Sequence, residues 1–465
     1  MRNLFVFSAA AVPRLAPLAA ALVLAGCSFA PTYERPAAPV AQTWPVEGKA
    51  QAPAVSEVAW RDFAQDDRLR EAISLALANN RDLRLAALNI EQVRAQYQIQ
   101  RAASLPTVNA ALTGTRQSTG DKDITNAFTA GLVTSGWELD FFGRIASLKD
   151  AALAQYMASQ EARNAAQTSL VASVASTWLG LQTSEELLAL TQRTLKTRED
   201  SLRLTNLRFE SGVASALDLR QAESLLAAAR ATLAQQQRQR ALDLNALTLL
   251  VGQTVPESAL PVNSDAATVL ADVAAGVPSE VLLERADVKA AEQQLMAANA
   301  NIGAARAAFF PRISLTASVG SASSELSGLF KSGSWGFSIA PQALLPIFDA
   351  GRNQAGLDVA KAQRDIAVAQ YEKAIQTAFR EVADALAGRD TLAQQWDALQ
   401  AQAQAESERF RLADLRYRNG VASYLDVLDA QRSLFVTQQA LSQTRLAQQQ
   451  NRVALYKALG GGWKP

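Results

Sequence analysis

Histidine is absent from the 465 residues of this chain, and cysteine occurs only once. Without histidine there can be no Ser-His-Asp or Cys-His catalysis and no His-ligated zinc or iron site. A single cysteine excludes CxxC redox chemistry, cysteine-rich metal sites and any disulfide within the chain. The 45 basic and 44 acidic residues nearly cancel, and a chain without a basic excess is a poor binder of nucleic acid. We therefore predict no enzyme activity, no metal site and no nucleic-acid partner.

The N-terminus has the pattern of a bacterial lipoprotein signal. A short apolar run before Cys27 cannot span a bilayer as a helix, but it suits the core of a signal peptide, predicted over 1–26. Leu24-Ala25-Gly26-Cys27 resembles the lipobox, so Cys27 is the predicted lipid-attachment residue. We predict a covalent lipid, palmitate included, on Cys27 and no other cofactor. The alternative is an ordinary export signal with a lone buried cysteine. Ser28 favours sorting to the outer membrane, and proline-rich residues 27–62 favour an extended tether.

The rest of the chain is a tandem repeat. Residues 204–226 align with residues 412–434 at an offset of 208. Upstream, residues 101–106 match residues 306–311 at an offset of 205. Self-similarity of this kind indicates two copies of one structural unit. The predicted boundaries are 63–255 for the first repeat, 256–284 for an equatorial linker, 285–459 for the second repeat and 460–465 for a C-terminal tail.

Proline is missing from two long stretches, which predicts long helices. None occurs over 107–255 or over 347–464. In each stretch a helical pattern of roughly 68 residues, about 100 Å at 1.5 Å per residue, precedes a Gly-Val-Ala-Ser turn, and a return helix follows. Glycine suits the left-handed end of the first helix, and Ser-x-x-Asp, ending at Asp218 and Asp426, predicts a capping box for the next. Leucines spaced by seven predict coiled-coil-like packing.

In two places the hydrophobic period changes to two residues, which indicates strands. Apolar side chains alternate with small or polar ones over 107–139 and again over 312–345, with two runs of about ten residues in each region. This pattern is typical of outer-membrane strands, and a pair of soluble β-hairpins is the alternative. Four strands cannot close a barrel, and open edges are not tolerated in lipid. We therefore expect oligomerisation, with three chains giving twelve strands.

Four motifs resemble those of a known family. Two lie where strand gives way to helix, Trp137-Glu-Leu-Asp-Phe-Phe-Gly-Arg144 and Leu345-Pro-Ile-Phe-Asp-Ala-Gly-Arg352. Two flank the second turn, Arg416-Tyr-Arg-Asn-Gly420 and Leu425-Asp-Val-Leu-Asp-Ala-Gln-Arg432. With the lipobox they resemble the TolC/OprM family of outer-membrane factors, in particular its lipidated, NodT-type efflux branch. The junction residues so assigned are Gly143, Arg144, Gly351 and Arg352.

The resemblance implies an α+β membrane protein that assembles as a homotrimer. A 12-stranded outer-membrane β-barrel, four strands per chain, would continue into a 12-helix periplasmic α-barrel. The implied function is a lipid-anchored outer-membrane channel that passively conducts substrates, delivered by an inner-membrane pump of the RND type through a periplasmic membrane-fusion adaptor. The alternative is a TolC-like duct for type I protein secretion. A soluble coiled-coil adaptor would not need the strands, and a glycosidase with paired carboxylates would need a pocket that coiled-coil-like helices do not offer.

The resemblance also assigns roles to the hairpin tips. It implies a periplasmic gate at Leu425, Asp426 and Asp429, where threefold repetition would bring up to six carboxylates around one pore. Mutual repulsion would then raise some carboxyl pKa values. A capping role like that of Asp218 is the alternative for Asp426. The candidate adaptor-docking tips are Gly212, Val213, Ala214, Ser215, Gly420, Val421, Ala422 and Ser423.

Overall fold

The computed structural model of the chain describes residues 29–45, 58–119, 123–262, 269–272 and 280–463. The predicted signal peptide and the predicted lipid-attachment residue Cys27 lie outside the described residues, as do parts of the predicted tether, linker and tail. The described residues form two compact units, and each unit takes segments from both repeats. The first unit contains residues 29–37, Asn89–Gln160 and Ala290–Tyr371, and the second contains the described parts of Ala38–Leu88, Glu161–Lys289 and Glu372–Pro465.

The first unit contains a four-stranded antiparallel sheet. Its strands are β1 (Asn109–Thr119), β2 (Asp123–Leu139), β3 (Arg312–Ser323) and β4 (Trp335–Leu344). They pair in sequence order, so β1 and β4 are the two edges. Each repeat supplies one hairpin, and the pairing of β2 with β3 joins the hairpins. A bulge interrupts that pairing between Thr134 and Trp137, where Gly136 has a φ of 64° and β2 carries one extra residue.

The sheet has one apolar face and one face of small and polar residues. Leu132 pairs with Val319, which pairs with Phe337, so these three side chains share a face. The neighbouring row, which lies on the opposite face, is made of glycine and alanine: Ala111, Gly131, Gly320 and Gly336. Exposed side chains on the apolar face include Leu112, Leu132, Trp335, Phe337 and Ile339. This alternation suits strands with lipid on one side and water on the other.

Long helices dominate both repeats. Helices α4 (Arg144–Glu210) and α8 (Arg352–Arg418) have 67 residues each and lead to the tips, and α5 (Ala216–Val251) and α9 (Tyr424–Ala458) return from them. The shorter helices are α1 (Trp60–Phe63), α2 (Asp67–Asn79), α3 (Arg81–Ala102), α6 (Glu280–Glu284) and α7 (Ala286–Ala307). Of the helices in the described part of the chain, none has the length and apolarity to cross a membrane.

The spacing by seven along the return helices corresponds to buried positions. Leu219, Leu226 and Leu247 of α5 are buried, as are Val427 and Leu455 of α9. A stripe that repeats every seven residues stays on one side of a helix that packs at a shallow angle against its neighbour. The coiled-coil-like packing predicted for the hairpins therefore agrees with the burial of these side chains.

The two return helices begin differently. In α5 the amide of Asp218 donates to Ser215 Oγ and the amide of Ser215 donates to Asp218 Oδ2, each at 3.1 Å, which is a complete capping box. Ser423, the matching residue of α9, makes no side-chain cap bond. The capping box predicted at the second tip is therefore wrong. Asp426 contributes only its backbone amide, which donates to Ser423 O at 3.3 Å.

Within the second unit, both repeats make the same joint with different chemistry. Asn80 Nδ2 donates to Leu250 O, in the last turn of α5, at 2.9 Å. In the second repeat Arg285 Nη1 donates to Ala458 O, at the end of α9, at 2.8 Å. Arg285 also forms an ion pair with Glu381 of α8 at 2.8 Å. Both repeats therefore make this contact, through a side-chain amide in the first repeat and a buried guanidinium in the second. The guanidinium also binds α8.

An N-terminal arm, residues 29–37, lies along α7 in the first unit. Arg306 and Asn299 donate to backbone carbonyls of the arm at 3.0 and 2.7 Å. Glu292 accepts two bonds from the guanidinium of Arg35, at 2.7 and 3.0 Å. Because these three α7 residues are spaced by seven, they lie on one side of the helix and hold the arm along its length.

Candidate functional site

The first strand-to-helix junction is held by charged side chains. Asp140 caps α4, since its carboxylate accepts from the amides of Ile145 and Ala146 at 3.1 and 2.7 Å. Arg144 forms two bonds with Glu138 of β2, at 2.8 and 2.7 Å. Glu138 is also paired with Arg312, the first residue of β3, at 2.6 Å. One buried carboxylate thus links the end of β2, the start of β3 and the start of α4.

The second junction has the same cap but not the same ion pair. Asp349 accepts from the amides of Gly351 and Asn353 at 3.0 and 2.9 Å, and the bond from Asn353 holds the pKa of this carboxyl below its usual value. Gly351 has a φ of 85°, as Gly143 has 67° in the first junction. The Arg352 guanidinium is exposed, and no acidic group in the described residues lies within ion-pair distance of it.

Both hairpin tips have the same backbone structure. The amide of Val213 donates to Arg208 O at 2.8 Å, and the amide of Val421 donates to Arg416 O at 2.9 Å. These bonds close a Schellman motif that requires the positive φ of the tip glycines, 74° at Gly212 and 75° at Gly420. Val213 and Val421 are 75% and 67% exposed. Each tip therefore presents an apolar side chain on a tight turn of small residues, as the Gly-Val-Ala-Ser sequence predicts.

The two hairpins contact each other close to their tips. The Arg208 guanidinium lies over the ring of Tyr417 at 4.7 Å and donates to its hydroxyl. Tyr417 in turn contacts the Tyr424 ring at 5.1 Å between centroids. Burial raises the pKa of the Tyr417 phenol, and the nearby Arg208 cation opposes that rise. Beneath this contact is a small core from the long helices of both hairpins: Ala222, Tyr424, Val427 and Leu428, with Leu202, Leu225, Phe410, Ala413 and Tyr417 packed against it.

The three predicted gate residues have different surroundings. Leu425 is 52% exposed, and Asp426 is exposed with no side-chain partner in the described residues. Asp429 forms ion pairs with Arg409 of α8 at 2.5 Å and with Arg432 of α9 at 2.7 Å. The bond from Arg409 lowers the pKa of Asp429. Within the single chain two arginines therefore compensate the charge of Asp429. The predicted rise in some carboxyl pKa values requires the threefold ring and stays a prediction.

Sequence reasoning missed the partners of these residues. Arg208, Tyr417 and Arg409 were not among the predicted site residues, although each contacts the tip or the predicted gate. One signal was present: Tyr417 replaces Phe209 at the matching repeat position. When two matching repeat positions are both aromatic and only one carries a hydroxyl, the hydroxyl indicates a polar contact that only that repeat makes.

Comparison with known proteins decides what this architecture belongs to. The sequence matches the family model described as outer membrane efflux protein over residues 72–253 and 277–461. The chain belongs to the outer membrane efflux protein family. Among the proteins this efflux protein resembles are two from Pseudomonas putida, the toluene efflux pump outer membrane protein TtgC and the antibiotic efflux pump outer membrane protein ArpC. Each is 49% identical over 457 residues, which is 95% of this chain and 94% of the relative.

Solved structures place the efflux protein in the same fold. The open state of the MtrE outer membrane channel of Neisseria gonorrhoeae matches it with a TM-score of 0.88 at 42% identity, over 94% of this chain and 99% of that chain. The predicted TolC-like fold class, outer-membrane location and function as the outer-membrane channel of a tripartite efflux system are confirmed. The family is one of transport channels. The lipid anchor at Cys27 stays a prediction.

Proposed function

We propose that three copies of this chain form one passive duct. Three four-stranded sheets would close a twelve-stranded barrel in the outer membrane, and six helical hairpins would form its periplasmic part. The observation that carries this proposal is the sheet, which has an apolar face, a face of small and polar residues, and two unpaired edges, β1 and β4. Unpaired backbone groups are costly in lipid, so a sheet of this kind needs neighbouring copies to pair both edges.

The tips are the proposed contact with a periplasmic membrane-fusion adaptor. Val213 and Val421 are exposed on turns of small residues, which permit close approach of another helix end. The proposed gate consists of Leu425, Asp426 and Asp429. In this arrangement Asp426 supplies a ring of uncompensated charge, while Asp429 is paired within its own chain. Such a ring attracts cations and repels anions, and salt weakens it.

Small organic molecules are the proposed substrates. The relatives named above are described as components of toluene and antibiotic efflux pumps. An inner-membrane pump of the RND type would supply the energy and the adaptor would connect it to the duct. The duct itself would use no cofactor beyond the covalent lipid predicted on Cys27. Protein secretion would need the same architecture and differs only in what is delivered to it.

Two experiments test the assembly and the substrate class. Purified protein in detergent is expected to have the mass of a trimer by light scattering. Deletion of the gene is expected to increase sensitivity to toluene and to antibiotics, and a plasmid copy of the wild-type gene should restore resistance. A monomer in detergent would contradict the duct. Unchanged sensitivity together with loss of a secreted protein would favour the protein-secretion alternative.

A further inference from the structure

The two edge strands of the sheet are related by the tandem repeat to two strands that already pair. β1 is the first-repeat counterpart of β3, and β4 is the second-repeat counterpart of β2. Within one chain β2 pairs with β3. If the proposed trimer closes its barrel, β4 of one copy meets β1 of the next, and this seam is the same contact made between chains. The internal pairing can therefore serve as a template for the seam.

The hairpin registers give the shift between counterparts. Thr113 of β1 faces Thr129 of β2. Ser318, which is 205 positions after Thr113, faces Ser338, which is 209 positions after Thr129. Residues of β2 on that side of the bulge therefore correspond to β4 residues 209 positions later. Past the bulge the shift falls to 208, because β2 carries one extra residue and β4 pairs without interruption. The same 208 separates Gly143 from Gly351 in the junctions.

We propose that β4 pairs antiparallel with β1 of the next copy, with Ala343 opposite Leu112. This pair is the counterpart of Thr134 and Ala317, on one side of the bulge. The pair Trp137 and Leu315, on the other side, places Leu345 opposite Ala110. Both results belong to one uninterrupted ladder, although they come from opposite sides of the bulge. The same ladder places Gln342 opposite Thr113.

The side chains brought together by this register match in chemistry. Leu112 and Ala343 both belong to the apolar face, and Thr113 and Gln342 both belong to the opposite face. A slip by one residue would mix the faces, which is why register is strongly specified where one face is apolar.

Paired cysteines test the register in the full-length protein. The variant with Leu112→Cys and Ala343→Cys, oxidised after purification in detergent, is expected to run mostly as covalent dimers and trimers that reductant abolishes. In the control, Leu112→Cys is combined with Ile339→Cys, which is four residues or about 13 Å further along the strand. A disulfide cannot span that distance, since its Cα atoms must lie within about 7 Å. Each single substitution, which retains the native Cys27, serves as a background control.

A second pair protects the test against a variant that does not fold. Thr113→Cys with Gln342→Cys lies on the opposite face of the same ladder and should also cross-link, since the Cα atoms of adjacent rungs are about 4.5 and 5.5 Å apart. Cross-linking of the Leu112/Ile339 pair, or of neither in-register pair in protein that remains trimeric, would overturn the register while leaving the proposed duct intact. A monomer by light scattering would overturn both.

Discussion

Asp429 and Asp426 are three residues apart on one helix, yet only the charge of Asp429 is compensated by basic side chains. Two arginines, Arg409 and Arg432, bind the Asp429 carboxylate, whereas Asp426 has no side-chain partner in the described residues. The first-repeat counterpart of Asp426 is Asp218, which is bound in a capping box. Asp426 lacks that capping bond, so its carboxylate is unpaired in the described residues, as the proposed gate requires. At the residue scale, the proposed gate charge therefore belongs to Asp426, and Asp429 ties α9 to α8.

Substitution Arg409→Gln should make the pore more attractive to cations. The variant leaves Asp429 with one arginine, so at pH 7 each chain gains one net negative charge near the aperture. In planar bilayers the concentration of a trivalent cation that blocks half the current should fall, because the cation meets one more uncompensated negative charge on each chain. Arg411→Gln is the matched control, because Arg411 pairs with Glu408 on the same helix and not with Asp429.

The pH dependence of this block has a definite sign. The bond from Arg409 lowers the pKa of wild-type Asp429, so its ion pair is lost only as the pH falls through that lowered pKa. In Arg409→Gln only Arg432 still lowers the pKa of Asp429, so this carboxylate should be protonated at a higher pH than in the wild type. The excess block should therefore shrink between pH 7 and pH 4. Equal block in Arg409→Gln and Arg411→Gln would contradict this role.

At the scale of elements, the row of glycines across the sheet marks a close approach of two strands. A Cβ on Gly131 would lie 2.3 Å from Val319 O, and one on Gly320 would lie 2.2 Å from Ala130 O. Both contacts are with backbone, which cannot move away as a side chain could. Glycine at such positions lets a sheet bend sharply, as closure into a barrel requires. We therefore attribute these glycines to the curvature of the sheet and not to the alternation of apolar and polar residues along its strands.

The destabilisation caused by an alanine substitution in this row should depend on the strand that carries it. Gly131→Ala or Gly320→Ala should lower the yield of folded trimer and destabilise it by about 1–3 kcal/mol, the usual cost of overpacking. Gly336→Ala is the control in the same row, since its Cβ would meet nothing within 4 Å. Thermal dissociation of the trimer, followed on gels, measures the difference. Equal thermal stability of all three variants would show that β2 and β3 can separate without cost.

Periodicity and turn chemistry made the elements predictable from the sequence. The predicted hairpin regions contain all four strands, and the tips fall at the two Gly-Val-Ala-Ser turns. Contacts between distant segments were not predictable. The contact of Arg208 with Tyr417 and the ion pair of Arg409 with Asp429 depend on how helices rotate against each other, which spacing alone does not specify. Local motifs are not always sufficient either. The same Ser-x-x-Asp motif forms a capping box at Ser215 and none at Ser423.

At the scale of the whole molecule, the arm joins the N-terminal segment to a helix of the second repeat. Glu292 is buried and accepts from the Tyr33 hydroxyl as well as from Arg35. The predicted lipid on Cys27 would lie two residues before the arm begins. A bound arm therefore limits how far that lipid could move from the protein, whereas a free tether would not.

Substitution Glu292→Ala should release the arm without unfolding the chain. Loss of the ion pair with Arg35 and of the bond from the Tyr33 hydroxyl should raise the rate of chymotrypsin cleavage after Tyr33 roughly tenfold. Glu325→Ala, in the loop between β3 and β4, is the control for a change of charge elsewhere. Cleavage at the wild-type rate would mean that the remaining bonds, from Arg306 and Asn299, suffice to hold the arm.

The unequal capping of the two tips has a consequence for how a ring of these chains could move. Six hairpins would surround the pore, but only alternate ones begin their return helix with a capping box. The uncapped hairpins also carry the proposed gate. In such a ring three hairpins would be stabilised at their tips by a capping box and three would not. The aperture would therefore widen as a three-lobed opening and not as a uniform circle.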